Sequence, residues 1–178
     1  IVGIVDLETK NQTSLFGYKV IGSDNDLPKL VGNYDNVLIT VGQIKSADLR
    51  VKLFKILSQM GANLPTVLSP KAFVSKHSTL RAGTILMHGA IINAGSSVGE
   101  NCIINSQALI EHDAVVESHC HISTGAKING GALIGKESFV GSGTVIHEGI
   151  LIGEKCVIAA GSIIRKDLPS GTFYLSVA

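Results

Sequence analysis

Along most of this chain the hydrophobic positions recur every six residues. From Val74 to Ile164 every sixth residue is Ile, Leu or Val, sixteen in succession. The residue two places before each is small in fifteen of the sixteen units, from Ala72 to Ser162, with Ile150 the exception. A continuous helix repeats near 3.6 residues and a continuous strand at 2, so a strict six fits neither. It fits short strands separated by corners, with one aliphatic side chain filling the interior and one small residue where the chain turns. Three such units close a triangular coil of eighteen residues. Sixteen units give a little over five coils, roughly 25 Å of stacked strands. Each coil covers the apolar face of the next, so stability is built by stacking. The six-residue form winds left-handed, against the usual crossover preference. The prediction is a left-handed parallel β-helix of hexapeptide repeats.

Before the repeat the pattern changes. Ile1–Val5 and Val37–Val41 are apolar runs of strand length. Ser46 is placed to cap a helix in which Leu49, Leu53, Ile56, Leu57 and Met60 recur at helical spacing, with Gly61 at its end. Leu27–Val31 reads as a second short helix after the Ser23-Asp24-Asn25-Asp26 turn. This alternation predicts an α/β unit with a parallel sheet. Asn63–Pro70 reads as the link, dividing the chain into 1–66 and 67–178. The chain opens without Met on a strand-like run, and we expect a first strand and its loop to precede it. Open α/β sheets bind ligands at the carboxyl ends of their strands. Asp6, closing the first run, is suited to hold a ribose or base, and Gly42, closing a later one, to admit a ligand close to the backbone. Turn chemistry alone is the competing explanation.

Composition narrows the field. A formal charge of +1 argues against a general nucleic-acid surface, which needs a basic stripe. Aromatics at 4%, with 20 glycines and no Trp, suit a finely tiled repetitive core. No apolar run reaches membrane-span length, and no signal-peptide pattern appears. A reducing, cytoplasmic setting is the default. Cys102, Cys120 and Cys156 lack metal-type spacing and all fall on the small inward position, in one column. They read as buried filler rather than nucleophiles.

None of the six His occupies an inward position, so all are expected at or near the surface. His112 stands out. It sits at a predicted corner after Glu111, and Asp113 follows it. A carboxylate beside an imidazole fixes its tautomer and raises its basicity. A neutral His is then a natural general base for an amine or hydroxyl nucleophile. His121 lies nine residues on, on the next face of the same region. Its N–H could bind a thioester carbonyl or stabilise an oxyanion. His147, about two coils from His112, is roughly 10 Å away along the axis, too far for direct proton exchange. A zinc site on a trimeric β-helix needs two His a few residues apart and a third two coils away. His77 and His112 are 35 apart, but the position five after His112 is Glu117.

The stretch Asn105-Ser106-Gln107-Ala108-Leu109-Ile110-Glu111-His112-Asp113, with His119-Cys120-His121-Ile122-Ser123-Thr124-Gly125-Ala126, resembles the bacterial nucleotide-sugar acetyltransferases of the sialic-acid O-acetyltransferase type (the NeuD/PglD group). Gly3-Ile4-Val5-Asp6 and Thr40-Val41-Gly42 resemble strand ends of the same family. The resemblance implies a Rossmann-like sugar-nucleotide-binding domain over 1–66. It implies a left-handed β-helix acyltransferase domain over 67–178 that forms a homotrimer and binds acetyl-CoA between subunits, with no metal. His112 matches the catalytic base and Asp113 the acid that raises its basicity. His121 matches a residue contacting the thioester region. Gly130, Ser142 and Ala160 match positions lining the CoA groove. Asp6, Leu7, Gly42 and Asn105 match positions near the sugar nucleotide. The chain departs from the pattern at Leu7, where a second acid is common. The usual glycine-valine-proline-alanine-lysine ending is here Leu175-Ser176-Val177-Ala178. The implied reaction is direct acetyl transfer to the amine of a UDP-linked 4-amino sugar. A hydroxyl of a sialic-acid-like sugar is the alternative acceptor. A trimerising scaffold for a sugar-nucleotide-binding domain is the non-enzymatic alternative.

Overall fold

The computed structural model of the chain describes residues 1–7 and 13–175. The altered ending at Ser176–Ala178 lies outside them. The six-residue repeat folds as read. Two-residue strands run from β4 (Val67–Leu68) to β20 (Ile163–Ile164) at six-residue spacing. They stack into three parallel sheets of seven, six and five strands, the seven including β21 (Phe173–Tyr174). Neighbours in each sheet are eighteen residues apart, as with Ile104 and Ile122 or Ile110 and Ile128. The second residue of each strand points inward, and from Leu86 to Ile164 all are buried. Each fully buried Ile contributes roughly 1.5–3 kcal/mol relative to exposure. Ile150 ends its column, where no further small position follows at its spacing, and like Leu168 it is partly buried against the edge of the core. After Ile164 the last coil shortens: Leu168 pairs with Ile152, and Tyr174 with Ile158, sixteen residues apart instead of eighteen.

The small inward column has chemistry as well as size. Thr84 Oγ1, Cys102 Sγ, Cys120 Sγ and Ser138 Oγ donate to the carbonyls of Gly99, Glu117, Gly135 and Gly153 at 2.7, 3.1, 3.2 and 3.0 Å. These carbonyls would otherwise be buried without a donor, which is costly. The three thiols are therefore hydrogen-bonding spacers with no exposed surface.

The outward strand residues define three faces. Face 1 carries Ile85, Ile103, His121, Phe139 and Val157, face 2 carries Phe73, Ile91, Leu109, Lys127, Val145 and Ile163, and face 3 carries Thr79, Ser97, Val115, Leu133 and Leu151. Face 2 is apolar apart from Lys127, with Phe73, Ile91 and Ile163 exposed.

The N-terminal part departs from the predicted parallel sheet. Strands β1 (Ile4–Val5), β2 (Ser14–Leu15) and β3 (Tyr18–Gly22) form a three-stranded sheet of order β1-β3-β2, with one parallel and one antiparallel pair. Among the described residues a Rossmann-like domain is not evident. The run Val37–Val41 forms no strand: Asn36 makes an isolated parallel bridge with Asn63, and Val37 N–H donates to the Asn63 carbonyl at 3.0 Å. Its inward side chains Val37 and Ile39 pack with Leu27, Phe54 and Leu57, and Arg50 takes the carbonyls of Ile39 and Val41 in place of a neighbouring strand. Both predicted helices form, as α1 (Leu27–Asn33) and α2 (Asp48–Gln59). The N-cap of α2 is Ala47, which offers no side-chain cap, rather than Ser46; Ser46 lies one place earlier, where its Oγ accepts the Asp48 N–H at 3.0 Å. The buried stripe of α2 is Arg50, Phe54 and Leu57, continued by Ala47 just before it, so Leu49 and Met60 are exposed rather than core. The reason is tertiary. This stripe docks on the corner between faces 3 and 1, where Phe54 meets Gly83 and stacks edge-on against His119 at 5.4 Å. No described helix is long and apolar enough to cross a membrane.

Candidate active site

His112 and Asp113 occupy the corner between faces 2 and 3, after the Leu109–Ile110 strand and before Val115–Val116. The corner needs a left-handed residue. Gly95, Gly131 and Gly149 supply it in neighbouring coils at φ of 75°, 67° and 67°, and Asp113 takes that place at φ 60°. Asp is among the few side chains that tolerate this region. The conformation turns its carboxylate onto the preceding imidazole, and Asp113 Oδ2 lies 2.9 Å from His112 Nδ1. The side chains are 67% and 71% exposed. The Asp113 hydrogen bond raises the His112 pKa above its ordinary value, aided by the charges of Asp113 and Glu111. With Nδ1–H donated to Asp113, Nε2 is the free basic nitrogen, open to solvent. Glu111 is itself braced, accepting from Asn93 Nδ2 at 2.8 Å.

Two glycines make room for this pair. A Cβ on Gly95 would collide with the Asp113 carboxylate, and one on Gly130 would lie 2.7 Å from both Cε1 and Nε2 of His112. Gly130 is thus seated against the imidazole in the next coil. Gly95 was not among the residues singled out from sequence. Its signal was its place eighteen residues before Asp113.

His121 differs from its expectation. It lies on face 1 but is only 9% exposed, because the loop before α2 covers it. Its Nδ1 is 2.6 Å from the carbonyl oxygen of Gln43, and its Nε2 is 3.4 Å from Asn105 Nδ2. A carbonyl only accepts, so Nδ1 carries the proton. Burial lowers the His121 pKa and holds the ring neutral, so Nε2 is unprotonated. The N–H expected to face a thioester carbonyl is therefore spent on Gln43, and Nε2 is an acceptor. His119, also expected at the surface, is partly covered by Phe54, and burial lowers its pKa too.

The remaining candidates separate into groups. Asn105, Ser142 and Ala160 all sit at the corner between faces 1 and 2, where Ser142 Oγ bonds Ser123 Oγ at 2.8 Å. Gly42 precedes Gln43 and has open space where a Cβ would stand. Gly42 and Asn105 are thus brought together around His121. Asp6 and exposed Leu7 close β1 on the small sheet, with Leu7 N–H bonded to Asp6 Oδ1 at 2.8 Å. His112 and His121 are not on neighbouring faces. The corner holding His112 is opposite face 1, which holds His121, so one chain does not bring the two imidazoles together. Among the described residues no three His, Cys, Asp or Glu are grouped to hold a metal ion.

Comparison with known proteins gives a consistent picture. Residues 131–166 match the family description "Hexapeptide repeat of succinyl-transferase". The acetyltransferase domain of PglB from Neisseria gonorrhoeae, solved with acetyl coenzyme A, is 30% identical. The match covers 95% of this chain and 81% of that one, with a TM-score of 0.88. PerB from Caulobacter crescentus, solved with CoA and GDP-perosamine, is 30% identical over 89% of this chain and 75% of that one, with a TM-score of 0.84. WeeI from Acinetobacter baumannii, at 23% identity, covers 95% and 80% with a TM-score of 0.85 and shares the fold. No curated protein sequence matches the chain.

Proposed function

This chain belongs to the hexapeptide-repeat acyltransferase family, and from that premise we propose that it transfers an acetyl group from acetyl-CoA to the amino group of a nucleotide-linked sugar. The observation that carries the reading is the His112–Asp113 pair at an exposed corner, seated between Gly95 and Gly130. His112 Nε2 takes a proton from the acceptor amine as the nitrogen attacks the thioester carbonyl. Asp113 stabilises the imidazolium that forms. The tetrahedral intermediate collapses, the C–S bond breaks, and CoA leaves as the thiol after receiving the proton. Cysteine takes no part, in keeping with the buried thiols. Ser142, Ala160 and the backbone at Gly130 line the CoA groove, and His121 lies at the thioester end, where its Nε2 accepts from an amide N–H of the CoA arm and not from the thioester itself. Asp6, Leu7, Gly42 and Asn105 contact the sugar nucleotide. An amine is favoured over a hydroxyl because a relative of 30% identity was solved with GDP-perosamine, an amino-sugar nucleotide.

The opposite placement of His112 and His121 supports a site completed by a second copy, in a homotrimer whose solenoids wind left-handed. Apolar face 2 lies between the two corners that hold Gly130 and Ser142, and would be covered by that copy. The test is CoA release from acetyl-CoA across nucleotide-linked amino sugars and sialic-acid-like sugars. His112→Ala is expected to lower turnover by about two to four decades with acetyl-CoA binding retained in calorimetry. Full turnover in that variant would remove His112 as the base, and absence of acetyl-CoA binding in the parent protein would leave only a scaffold.

A further inference from the structure

Arg50 is buried to 1% exposure, yet among the described residues none of its hydrogen bonds reaches a carboxylate. Nη1 donates to the carbonyls of Ile39 and Val41 at 3.0 and 2.7 Å. Nη2 donates to the carbonyl and to Oδ1 of Asn101 at 3.2 and 2.7 Å. Asn101 answers with Nδ2, which donates to the Arg50 carbonyl at 3.2 Å and to His119 Nδ1 at 3.0 Å. A buried cation without a counterion is costly, and an apolar side chain would fill the space more simply. The planar guanidinium does what an apolar side chain would not. It ties two carbonyls of a segment that joins no sheet among the described residues to one corner of the solenoid.

The consequence falls on Gln43, two residues beyond Val41. Its side chain is buried, and Nε2 donates to the carbonyl of His119 at 3.0 Å. Its own carbonyl takes the Nδ1–H of His121 at 2.6 Å. We propose that Arg50 is a positioning residue for the acyl-transfer site: by tying Ile39 and Val41 to Asn101 it holds the Gln43 carbonyl on His121 Nδ1 and keeps Nε2 unprotonated toward Asn105. The catalytic part of this inference rests on the function proposed above. The tautomer part does not. Lysine cannot replace Arg50 here, because one ammonium cannot span both carbonyls and the Asn101 amide.

The test uses the full chain labelled with ¹⁵N-histidine, with the His121 resonances assigned by their loss in His121→Gln. The parent protein is expected to show the Nδ1–H tautomer at His121. In Arg50→Lys the ring is expected to shift toward the Nε2–H form, and kcat to fall about tenfold or more while the KM for acetyl-CoA changes less. Should Arg50→Lys fail to fold, Asn101→Gly removes the other half of the clamp. Glycine keeps the left-handed backbone there, at φ 54°. It is expected to give the same tautomer shift. A folded variant of either kind that keeps the Nδ1–H form overturns the proposal, whatever its melting temperature. The tautomer readout involves no acetyl transfer, so failure of the clamp and failure of the proposed reaction are seen separately.

Discussion

Adjacent glycines at one corner of the solenoid should respond to the same substitution in opposite ways. At Gly130 an added Cβ would stand 2.7 Å from Cε1 and Nε2 of His112, where ordinary contact begins at 3.4 Å. The backbone there is not left-handed, so alanine carries no conformational strain, and the exposed ring is free to swing aside. Folding should hardly change. The imidazole, however, must retreat by about 0.7 Å, and displacements near 1 Å cost on the order of a hundredfold in rate. Gly130→Ala is therefore expected to lower kcat by about ten- to a hundredfold, or roughly 1.4–2.7 kcal/mol of barrier. Gly131 has φ 67° and nothing within 4 Å of its Cβ position. Gly131→Ala should cost roughly 1–2 kcal/mol through the left-handed backbone alone and leave kcat intact. The assay pairs CoA release under saturating acetyl-CoA with thermal unfolding of both variants. Full kcat in Gly130→Ala, or a loss of kcat in Gly131→Ala matching that in Gly130→Ala, would refute the placement of the base against Gly130.

Two further outcomes follow from charge. As the proposed base, His112 acts only when neutral, so turnover should fall as pH drops through its pKa, which Asp113 raises. Asp113→Asn should move that acid limb down toward the ordinary value of 6.5 and lower the plateau rate, and an unmoved limb in the kcat profile would count against the pair. Folding stability has its own pH dependence. Burial lowers the pKa of His119 and His121 below 6.5, so on acidification the unfolded chain takes up protons first. Their contribution is fully present above about 6.5 and is lost as pH falls from there through the folded values. The melting temperature should drop over that range, and the drop should flatten in the His119→Gln/His121→Gln double variant.

The solenoid was legible because its period is enforced by packing. Every aliphatic at a sixth position meets one above and one below, so a single error would leave a hole. The His112–Asp113 corner was legible for a related reason, since both residues lie in one local turn. The N-terminal part was harder to read. Val37–Val41 has the composition of a strand, but Arg50, nine residues after Val41, takes its carbonyls, and no local pattern announces that. The helical stripe read from Leu49, Leu53, Ile56, Leu57 and Met60 followed aliphatic side chains; Leu57 is on the docked face, but that face also includes a buried Arg. His121 looked exposed because the repeat assigns it outward. What buries it is Gln43, 78 residues earlier in the chain.

The separation of the two imidazoles carries the strongest consequence for assembly. Within one coil, the corner bearing His112 is opposite the face bearing His121, and a rigid stacked prism offers no motion that would bring them together. If both act in one reaction, each site takes His112 from one copy and His121 from its neighbour. Closed cyclic assemblies repeat that contact at every interface. Two inactive variants, His112→Ala and His121→Ala, should then complement each other when unfolded and refolded together in equal amounts. With random assembly about a quarter of the sites receive both intact residues, because each is drawn independently with even odds. Recovered turnover near a quarter of the parent value, absent when the two proteins are mixed without reassembly, is the expected result. If the mixture stays as inactive as its parts although mixed oligomers form, the two imidazoles do not belong to one shared site.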